Sequence, residues 1–239
     1  MRIDVLGTKF DNVTMDEALA RGEALMEKRA ASYVATPNPE IVMFCREDPE
    51  MAAAVEAASL VIADGIGVIH GAKILGTPLK QKLPGIDFTT ALMERMAKKG
   101  QSVFLFGAKP GVAEAAAEKL QRRFPGLIIA GTNDGYFSDD EPIVSKIDAA
   151  KPDLLLVCLG APKQEKWMFS HAGSLDVGLM IGAGGSLDVF AGTVERAPEK
   201  WQKAGLEWLY RLLKEPKRLG RMMKLPQFLL LVYVQKLRR

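Results

Sequence analysis

Two glycine-rich segments in the second half of the chain carry the residues best suited to hold a charged ligand. The apolar run Leu154–Leu159 leads into Gly160-Ala-Pro-Lys-Gln164, and Val177–Ile181 leads into Gly182-Ala-Gly-Gly-Ser-Leu-Asp188. Short apolar runs are typical of buried parallel strands, which deliver binding loops at their carboxyl ends. Glycine lets a backbone approach closely, and free N–H groups at a helix start suit a phosphate. The two segments therefore favour a diphosphate or nucleotide-sugar ligand.

Polar residues also follow two earlier apolar runs. In Thr36-Pro-Asn-Pro-Glu40 each proline biases the residue before it toward extended geometry, which predicts a rigid loop presenting Thr36 and Asn38. In Ala63-Asp-Gly-Ile-Gly67 a carboxylate, Asp64, stands at the end of a strand beside glycines. One interpretation of Asp64 is purely structural, as the N-cap of the next helix. Its place at the end of a strand favours a role in the site instead.

Four further positions are candidates for substrate contact. Gly107 ends the run Phe104-Leu-Phe-Gly before a helix start, a pattern that packing alone also produces. Tyr136 can stack on a base, although an aromatic residue beside glycine is more often ordinary packing. The Gln164 amide can bond sugar hydroxyls, and Asp188 can accept a bond from a ribose or a base N–H. The charged neighbours of Gln164 are expected on a solvated helix face: Lys163, Glu165 and Lys166.

Several motifs that define other nucleotide-binding classes are missing from the sequence. Gly182-Ala-Gly-Gly-Ser-Leu187 lacks the last glycine of the dinucleotide fingerprint, and no Gly-Lys-Ser/Thr phosphate loop occurs. No two aspartates are separated by one residue, so the Asp-x-Asp metal clamp is absent, and His70 and His171 stand alone. We therefore expect neither a metal nor a cofactor. The charge of a leaving group must then be met by cationic side chains and backbone dipoles.

The elements that position these residues alternate between strand and helix. Apolar runs predict strands at Ser32–Thr36, Leu60–Ala63, Ser102–Phe106, Leu127–Gly131, Leu154–Leu159 and Val177–Ile181. Helical patterns fill the gaps, among them one opened by a Thr14 capping box, one capped by Asp87, and Ala113–Arg123. This alternation predicts an α/β fold, with a mostly parallel, Rossmann-like sheet and helices on both faces.

The composition is that of a globular protein in a reducing compartment. The 239 residues are 48% hydrophobic, which is enough for a full core. Cys45 and Cys158 lie far apart in apolar contexts and form neither a disulfide framework nor a metal pattern. The start shows no signal segment, and the late apolar run Phe228–Val234 is far shorter than the ~20 residues of a membrane span. We expect a cytoplasmic location.

Charge divides the chain near Pro198. Residues 200–239 hold eleven Lys/Arg and two Glu, a net of +9, whereas residues 1–199 hold 21 basic and 27 acidic residues, a net of −6. Aliphatic residues alternate with the basic ones, which favours binding of this segment to an anionic membrane surface. The alternative is a helical cap that packs on the core, and the segment can do both. RNA binding needs interleaved aromatic residues, so no nucleic-acid partner is expected. The predicted parts are an α/β catalytic domain, residues 1–197, and a basic amphipathic helical appendage for membrane association, residues 198–239.

A series of short motifs runs in order along almost the whole chain. It comprises Thr36-Pro-Asn-Pro-Glu, Ala63-Asp-Gly-Ile-Gly, Pro84-Gly-Ile-Asp, Phe104-Leu-Phe-Gly, Gly135-Tyr-Phe, Leu159-Gly-Ala-Pro-Lys-Gln-Glu, Gly184-Gly-Ser-Leu-Asp-Val-Phe-Ala-Gly, Arg196-Ala-Pro and Gly205-Leu-Glu-Trp-Leu-Tyr-Arg. Each motif alone is weak, but the ordered series is specific. In these residues the sequence resembles the WecG/TagA/CpsF glycosyltransferase family, and within it the wall teichoic acid N-acetylmannosaminyltransferases.

The resemblance implies an activity and its partners. Family membership implies transfer of N-acetylmannosamine from its UDP donor to the 4-hydroxyl of N-acetylglucosamine on undecaprenyl diphosphate, with a β linkage. Such a reaction is inverting and metal-independent, and it takes place at the inner face of the cell membrane. Two alternatives stay open: a transferase of the same family that uses another UDP-sugar, such as UDP-N-acetylmannosaminuronate or UDP-glucose, and, more distantly, a non-catalytic nucleotide-sugar or RNA-binding protein. A homo-oligomer is compatible with either.

The resemblance also assigns roles to the candidates position by position. Asp64 resembles the family's proposed general base, with Thr36 beside it at the reacting centre. Asn38 and Gln164 would hold the donor sugar. The uridine would contact Tyr136 and Asp188, and the loops around the substrate contain three glycines: Gly107, Gly184 and Gly185.

In the appendage, three basic residues match arginines that close over the diphosphate, and they are grouped with the catalytic residues: Arg211, Arg218 and Arg221. One position departs from the family pattern. Where many relatives have arginine, this chain has Lys82 before Leu83-Pro-Gly85. A point charge replaces a bidentate fork there, so whether Lys82 takes over a contact to the acceptor diphosphate stays open.

Overall fold

The computed structural model of the protein describes residues 1–216 and 219–238. Its strands are β1 (Arg2–Val5), β2 (Thr8–Asp11), β3 (Ser32–Ala35), β4 (Leu60–Val61), β5 (Ser102–Gly107), β6 (Ile128–Asn133), β7 (Leu154–Cys158) and β8 (Leu179–Gly182). The helices of the body are α1 (Met15–Lys28), α2 (Pro39–Glu47), α3 (Pro49–Glu56), α4 (Ile66–Ile74), α5 (Gly85–Lys99), α6 (Val112–Arg123), α7 (Glu141–Ala150), α8 (Lys163–Ser170) and α9 (Ser186–Ala191). The helices that follow are α10 (Glu199–Lys203), α11 (Glu207–Lys214), α12 (Leu219–Met222) and α13 (Lys224–Leu237).

Six strands form one parallel sheet in the order β4-β3-β8-β7-β5-β6. All of them fall on the apolar runs that predicted strands, so the α/β fold and its parallel sheet are confirmed. The strands β1 and β2 form a separate antiparallel hairpin, which the sequence reading missed. In this hairpin Val5 pairs with Thr8 around a turn where Gly7 adopts a φ of 90°.

Helices cover both faces of the sheet, as predicted. Alternate side chains of a strand point to opposite faces. On β5, Phe104 and Phe106 join the core under α2, α3, α4, α7 and α8, whereas Val103 and Leu105 join the core under α1, α5, α6 and α9. Two apolar cores therefore enclose the sheet, and its strands other than the edge strand β6 are almost wholly buried, which explains their continuous apolar runs.

One of the predicted helix starts is confirmed and another is corrected. Thr14 forms the expected capping box with Glu17 at the start of α1. Asp87 was expected to cap α5, but that helix begins at Gly85 with Pro84 as its N-cap residue. Asp87 instead lies in the first turn of the helix, where its carboxylate pairs with Arg196.

The last helix of the chain packs onto the body. Phe228 and Val232 of α13 are fully buried. A Cβ atom on Gly71 of α4 would lie 2.9 Å from the Phe228 ring, so the absence of a side chain there makes room for this packing. The expected helical cap on the core is thus present, while the domain boundary after residue 197 stays a prediction. Within residues 1–216 and 219–238, no helix combines the length and apolar content needed to cross a bilayer.

Candidate active site

Parallel strands bring the ends of the predicted site together at one edge of the sheet. Thr36 follows β3, Asp64 follows β4, and Gly182 ends β8. Because β3 lies between β4 and β8, these three residues are neighbours. The ends of β5, β7 and β6 continue the same edge, so the candidates fall into two adjoining halves.

Thr36 and Asp64 form the first half. Thr36 is buried, and its hydroxyl donates a 2.8 Å hydrogen bond to the Gly182 carbonyl. The Gly85 N–H donates to Asp64 Oδ2 over 3.4 Å. A Cβ atom on Gly85 would lie 3.2 Å from the Thr36 side chain, so the start of α5 closes tightly over both residues. The N-cap residue of α4 is Gly65, so Asp64 does not cap this helix. The alternative that Asp64 serves only as the N-cap of α4 is therefore wrong.

The surroundings of Asp64 raise its proton affinity. Burial raises the pKa of Asp64 to about 6, with a smaller contribution in the same direction from Glu207. The Gly85 hydrogen bond and the positive charges of Arg211 and Lys82 act in the opposite direction. A carboxylate with a pKa near 6 is ionised at neutral pH and still basic enough to take a proton from a hydroxyl group. Lys82 and Arg211 therefore lie within electrostatic range of Asp64.

Asn38 has a local structural role. Its side-chain oxygen accepts a 3.0 Å hydrogen bond from the Ile41 N–H and so caps α2 at its N-terminus. The residue is half-buried, and its Cβ atom faces Gly65 at the start of α4. Because the oxygen is committed to the cap, the amide nitrogen is the group of Asn38 left for a ligand.

Gln164 is almost fully buried and holds the loop that follows β8. Its side-chain oxygen accepts a 3.0 Å bond from the Gly184 N–H, and its side-chain nitrogen donates a 2.9 Å bond to Glu165. A Cβ atom on Gly182 would lie 3.0 Å from that nitrogen, so only glycine fits against the amide. Gly185, the next glycine of the loop, is exposed.

The second half of the site lies at the ends of β5, β6 and β7. Gly107 has a φ of 128°, and a Cβ atom there would lie 2.3 Å from the Cys158 carbonyl oxygen. The Gly135 N–H donates to the Ala108 carbonyl, which seats the loop after β6 against the loop after β5. This contact presents Tyr136 with 69% of its surface exposed.

Asp188 lies in the first turn of α9, half-buried. Its carboxylate is near enough to Cys158, at the end of β7, to raise the pKa of that thiol, although burial is the main cause of the rise to about 12. Asp188 follows β8 and Tyr136 follows β6, two strands that β7 and β5 separate, so the two residues lie on either side of the glycine turn at the end of β5.

Ion pairs connect the appendage to the sheet edge. Arg211 on α11 donates a 3.1 Å hydrogen bond to Glu207 one helical turn earlier. Arg196 lies 3.6 Å from the same Glu207 carboxylate and also binds Asp87 at the start of α5. The turn before α11 packs on the body as well, because a Cβ atom on Gly205 would lie 3.1 Å from Ile66. Arg211 is thus held near Asp64 by a chain of charged groups.

Two of the predicted catalytic arginines are not placed by the structure. Arg218 lies outside the described residues. Arg221 falls within the helix α12, but its side chain is outside the described part of the protein. Among the residues that the structure does describe, no three His, Cys, Asp or Glu side chains gather as they would around a metal ion. The expected metal independence stays a prediction.

Sequence reasoning missed three charged residues of this region. Glu165 was expected on a solvated helix face and is only 1% exposed, so that expectation was wrong. Its position was a usable signal, because it lies three residues before the buried Met168 on the same side of α8. The other two are Arg196 and Glu207, which stood within the quoted motifs without a role.

A half-buried carboxylate, nearby cations and glycine loops lie together at the carboxyl edge of a parallel sheet, which is where α/β enzymes bind their ligands. The sequence profile described as "Glycosyl transferase WecG/TagA/CpsF family" matches residues 3–239. The chain therefore belongs to the WecG/TagA/CpsF family of glycosyltransferases.

Curated relatives agree with this membership. Proteins of Staphylococcus aureus strains MRSA252 and MW2 are each 36% identical to the chain over 231 residues, covering 95% of the chain and 91% of the relative. Both are named N-acetylglucosaminyldiphosphoundecaprenol N-acetyl-beta-D-mannosaminyltransferase. The similarity extends over the body and the appendage alike.

Proposed function

We propose that the protein transfers N-acetylmannosamine from UDP-N-acetylmannosamine to the 4-hydroxyl of N-acetylglucosamine on undecaprenyl diphosphate, forming a β linkage in wall teichoic acid synthesis. The observation that carries the proposal is the placement of Asp64 beside Arg211 and Lys82, in a chain similar over its length to transferases of that name. A base and cations side by side suit a reaction that removes a proton and releases a diphosphate.

Asp64 is the general base in this mechanism. Its carboxylate takes the proton of the acceptor's 4-hydroxyl, and the oxygen forms a bond to C1 of N-acetylmannosamine. The bond from C1 to the UDP oxygen breaks on the opposite face, so UDP leaves with the electron pair and the configuration inverts. Thr36 supports the reaction as a neighbour of Asp64, since its hydroxyl is bonded to the β8 loop.

Positive charge stabilises the departing UDP. Arg211 lies close enough to lower the pKa of Asp64, against the larger effect of burial, and is therefore near the reacting centre. We assign Arg218 and Arg221 to the same task because of the family resemblance. Lys82 supplies a further positive charge for the diphosphate of the acceptor. An ionised guanidinium binds a phosphate through strong, charge-assisted hydrogen bonds, which become more favourable as negative charge develops on the leaving group.

The other candidates bind the donor. The uridine stacks on the exposed ring of Tyr136 and bonds to Asp188, and the glycine turns at Gly107, Gly184 and Gly185 let the backbone approach the diphosphate. The amide groups of Asn38 and Gln164 donate to the sugar. Both amides are already fixed by hydrogen bonds within the protein, which reduces the entropy lost on binding.

The appendage binds the inner surface of the cell membrane, where the lipid acceptor resides. Support comes from the net charge of +9 on residues 200–239 and from large apolar side chains that stay exposed in the folded protein. On α13 these are Leu230, Tyr233 and Leu237, which are 65%, 54% and 87% exposed. Their spacing places them on one side of the helix, away from the buried Phe228. The protein is then a peripheral membrane enzyme of the cytoplasmic face, and a homo-oligomer is compatible with this arrangement.

A panel of UDP-sugars with a short-chain lipid diphosphate acceptor bearing N-acetylglucosamine tests the proposal. We expect UDP-N-acetylmannosamine to give the highest kcat/KM and a β-linked disaccharide by NMR. Turnover with UDP-glucose or UDP-N-acetylmannosaminuronate alone would reassign the donor within the family. Binding of UDP-sugars with no transfer to the acceptor would contradict the enzymatic function.

A further inference from the structure

Glu165 is a buried acid beside the candidate active site. It is 1% exposed, while the two lysines near it on α8 face outward: Lys163 is exposed, and Lys166 pairs with Asp48 and Glu50. A carboxyl group is rarely buried without a strong reason, because the loss of hydration is costly. The position of Glu165 therefore calls for a functional explanation.

The carboxyl group fixes the orientation of its neighbour. The Gly184 N–H is a donor only, so the Gln164 side chain must present its oxygen to that group, at 3.0 Å. The amide nitrogen of Gln164 must then face the other way, where it meets Glu165 Oε1 at 2.9 Å. Glu165 is an acceptor there, and it makes the opposite orientation of the amide unfavourable.

The same amide is linked to the reacting centre. Gly182 packs against the Gln164 nitrogen, and the Gly182 carbonyl accepts the hydrogen bond from Thr36. A continuous path thus leads from Glu165 through Gln164 and the end of β8 to Thr36. Since an amide NH₂ has two hydrogens, the bond to Glu165 leaves a second N–H for another acceptor.

The second oxygen of Glu165 makes the burial of this carboxyl group costly. Oε2 is buried and has no hydrogen-bond partner among the residues that the structure describes. Burial raises the pKa of Glu165 to about 7, and the nearby charge of Glu40 adds to the rise, while the bond from Gln164 opposes it. The group is kept in spite of that cost, which is difficult to explain by packing alone.

We propose that Glu165 is a positioning residue that holds the Gln164 amide with its oxygen on the Gly184 loop and its free N–H directed to the donor sugar. The hydrogen-bond accepting capacity of Glu165 is what matters, not its negative charge. This inference rests on the proposed function, because it assumes that Gln164 binds the sugar of the donor.

Two substitutions separate these properties. Glu165→Gln keeps the size and an acceptor oxygen but cannot ionise, whereas Glu165→Met keeps the length and removes the acceptor. We expect Glu165→Gln to stay within about threefold of the wild type, and Glu165→Met to raise the KM for UDP-N-acetylmannosamine about tenfold with a smaller change in kcat. The affinity for UDP, which lacks the sugar, should stay at the wild-type value in Glu165→Gln and should change less than the donor KM in Glu165→Met.

A double-mutant cycle shows whether Glu165 acts through Gln164. In a Gln164→Ala background, Glu165→Met should have no further effect on the donor KM. A normal donor KM in folded Glu165→Met would overturn the proposal. So would an equal loss in Glu165→Gln, a result that stays informative even if the methionine variant does not fold.

The two levels of the hypothesis fail differently. If the wild type transfers no sugar from UDP-N-acetylmannosamine, the proposed function is wrong. If the wild type is active and Glu165→Gln and Glu165→Met have the same donor KM, only the positioning role of Glu165 is wrong.

Discussion

The edge of the sheet and the appendage, which we propose to form one site, are held in place by different forces. At the sheet edge, Thr36 and Gln164 are buried and bonded to the backbone of the β8 loop. In the appendage, α10 and α11 have no buried residue, and Arg211 is held by ion pairs. Partly exposed ion pairs contribute little to stability and weaken with salt, whereas buried hydrogen bonds are costly to break.

The comparison indicates a division of labour. Asp64, the proposed base, and the proposed donor loops are positioned by the fold of the body itself. The cations proposed to meet the leaving group depend on a segment held mainly by surface charges and by the packing of α13. Full activity is thus expected where the appendage is also stabilised from outside, as it would be on an anionic membrane.

The largest expected effect concerns the sheet edge. Asp64→Asn should lower turnover by ~10²-fold or more, since a lost general base costs that much, while UDP binding persists. Thermal unfolding should show that the fold is retained. Asp176→Asn is the matched control, because Asp176 precedes β8 at the opposite edge and pairs with Arg29 and Lys151. Near-normal turnover in Asp64→Asn would refute the assignment of the base.

The next effect tests whether the appendage enters the chemistry. With a detergent-free, short-chain acceptor at saturation, Arg211→Ala should lower kcat about 10- to 100-fold, as expected for a lost cationic contact to a leaving group. Lys214→Ala on the same helix is the control, since that side chain lies over the Tyr210 ring. Arg218→Ala and Arg221→Ala complete the series. If all three arginine variants match the wild type on this acceptor, the appendage is only an anchor.

The third prediction uses pH to follow the base. Because the pKa of Asp64 is raised to about 6, the carboxylate is ionised above this value and protonated below it. The ratio kcat/KM should therefore be level near pH 7.5 and fall about tenfold for each unit below pH 6. In Asp64→Asn the residual activity should lack this limb. A profile that stays level down to pH 5 would exclude Asp64 as the titrating base.

A smaller effect separates membrane binding from catalysis. Replacing Leu230, Tyr233 and Leu237 together by serine should weaken binding to phosphatidylglycerol vesicles several-fold, because less apolar surface enters the interface. Turnover of the soluble acceptor should not change. Ile128→Ser is the control, because Ile128 is 52% exposed on β6, outside the appendage. Unchanged vesicle binding in the triple variant would show that another surface meets the membrane.

The smallest expected effect is none at all. Excess EDTA, followed by removal of bound metal, should leave turnover unchanged if cationic side chains alone stabilise the leaving UDP. If activity were lost and Mg²⁺ or Mn²⁺ restored it in a saturable way, the Lys and Arg side chains of the two regions would not be sufficient to stabilise the leaving UDP.

Much of the body could be predicted because its signals are local. The run Leu154–Leu159 predicts β7 within one residue, and Ser32–Thr36 predicts β3 equally well. Buried parallel strands must be apolar on both faces, so their sequences stand out, and their ends mark the site. For this reason the sequence predicts Asp64 and Thr36 at strand ends, whereas their position side by side is implied only by the family resemblance.

Other features depend on contacts between distant segments. Asn38 looked like a ligand-binding side chain, yet its oxygen caps α2. Gly67 was predicted in a binding loop, whereas it also makes room for Leu225 of α13, as Gly71 does for Phe228. No local pattern in α4 indicates which helix will pack against it, since the partner lies more than 150 residues later in the chain.

By itself, the sequence determined the alternation of strands and helices, the glycine turns and the charge of the appendage, because each follows from the preferences of neighbouring residues. Only the tertiary structure decided that Glu165 is buried, that Asp87 pairs with Arg196, and that Arg211 lies near Asp64. The physical reason is that burial and charge pairing belong to the space between segments. A side chain in α8 or α11 acquires its environment only when the helix has packed against strands that are far away in the chain.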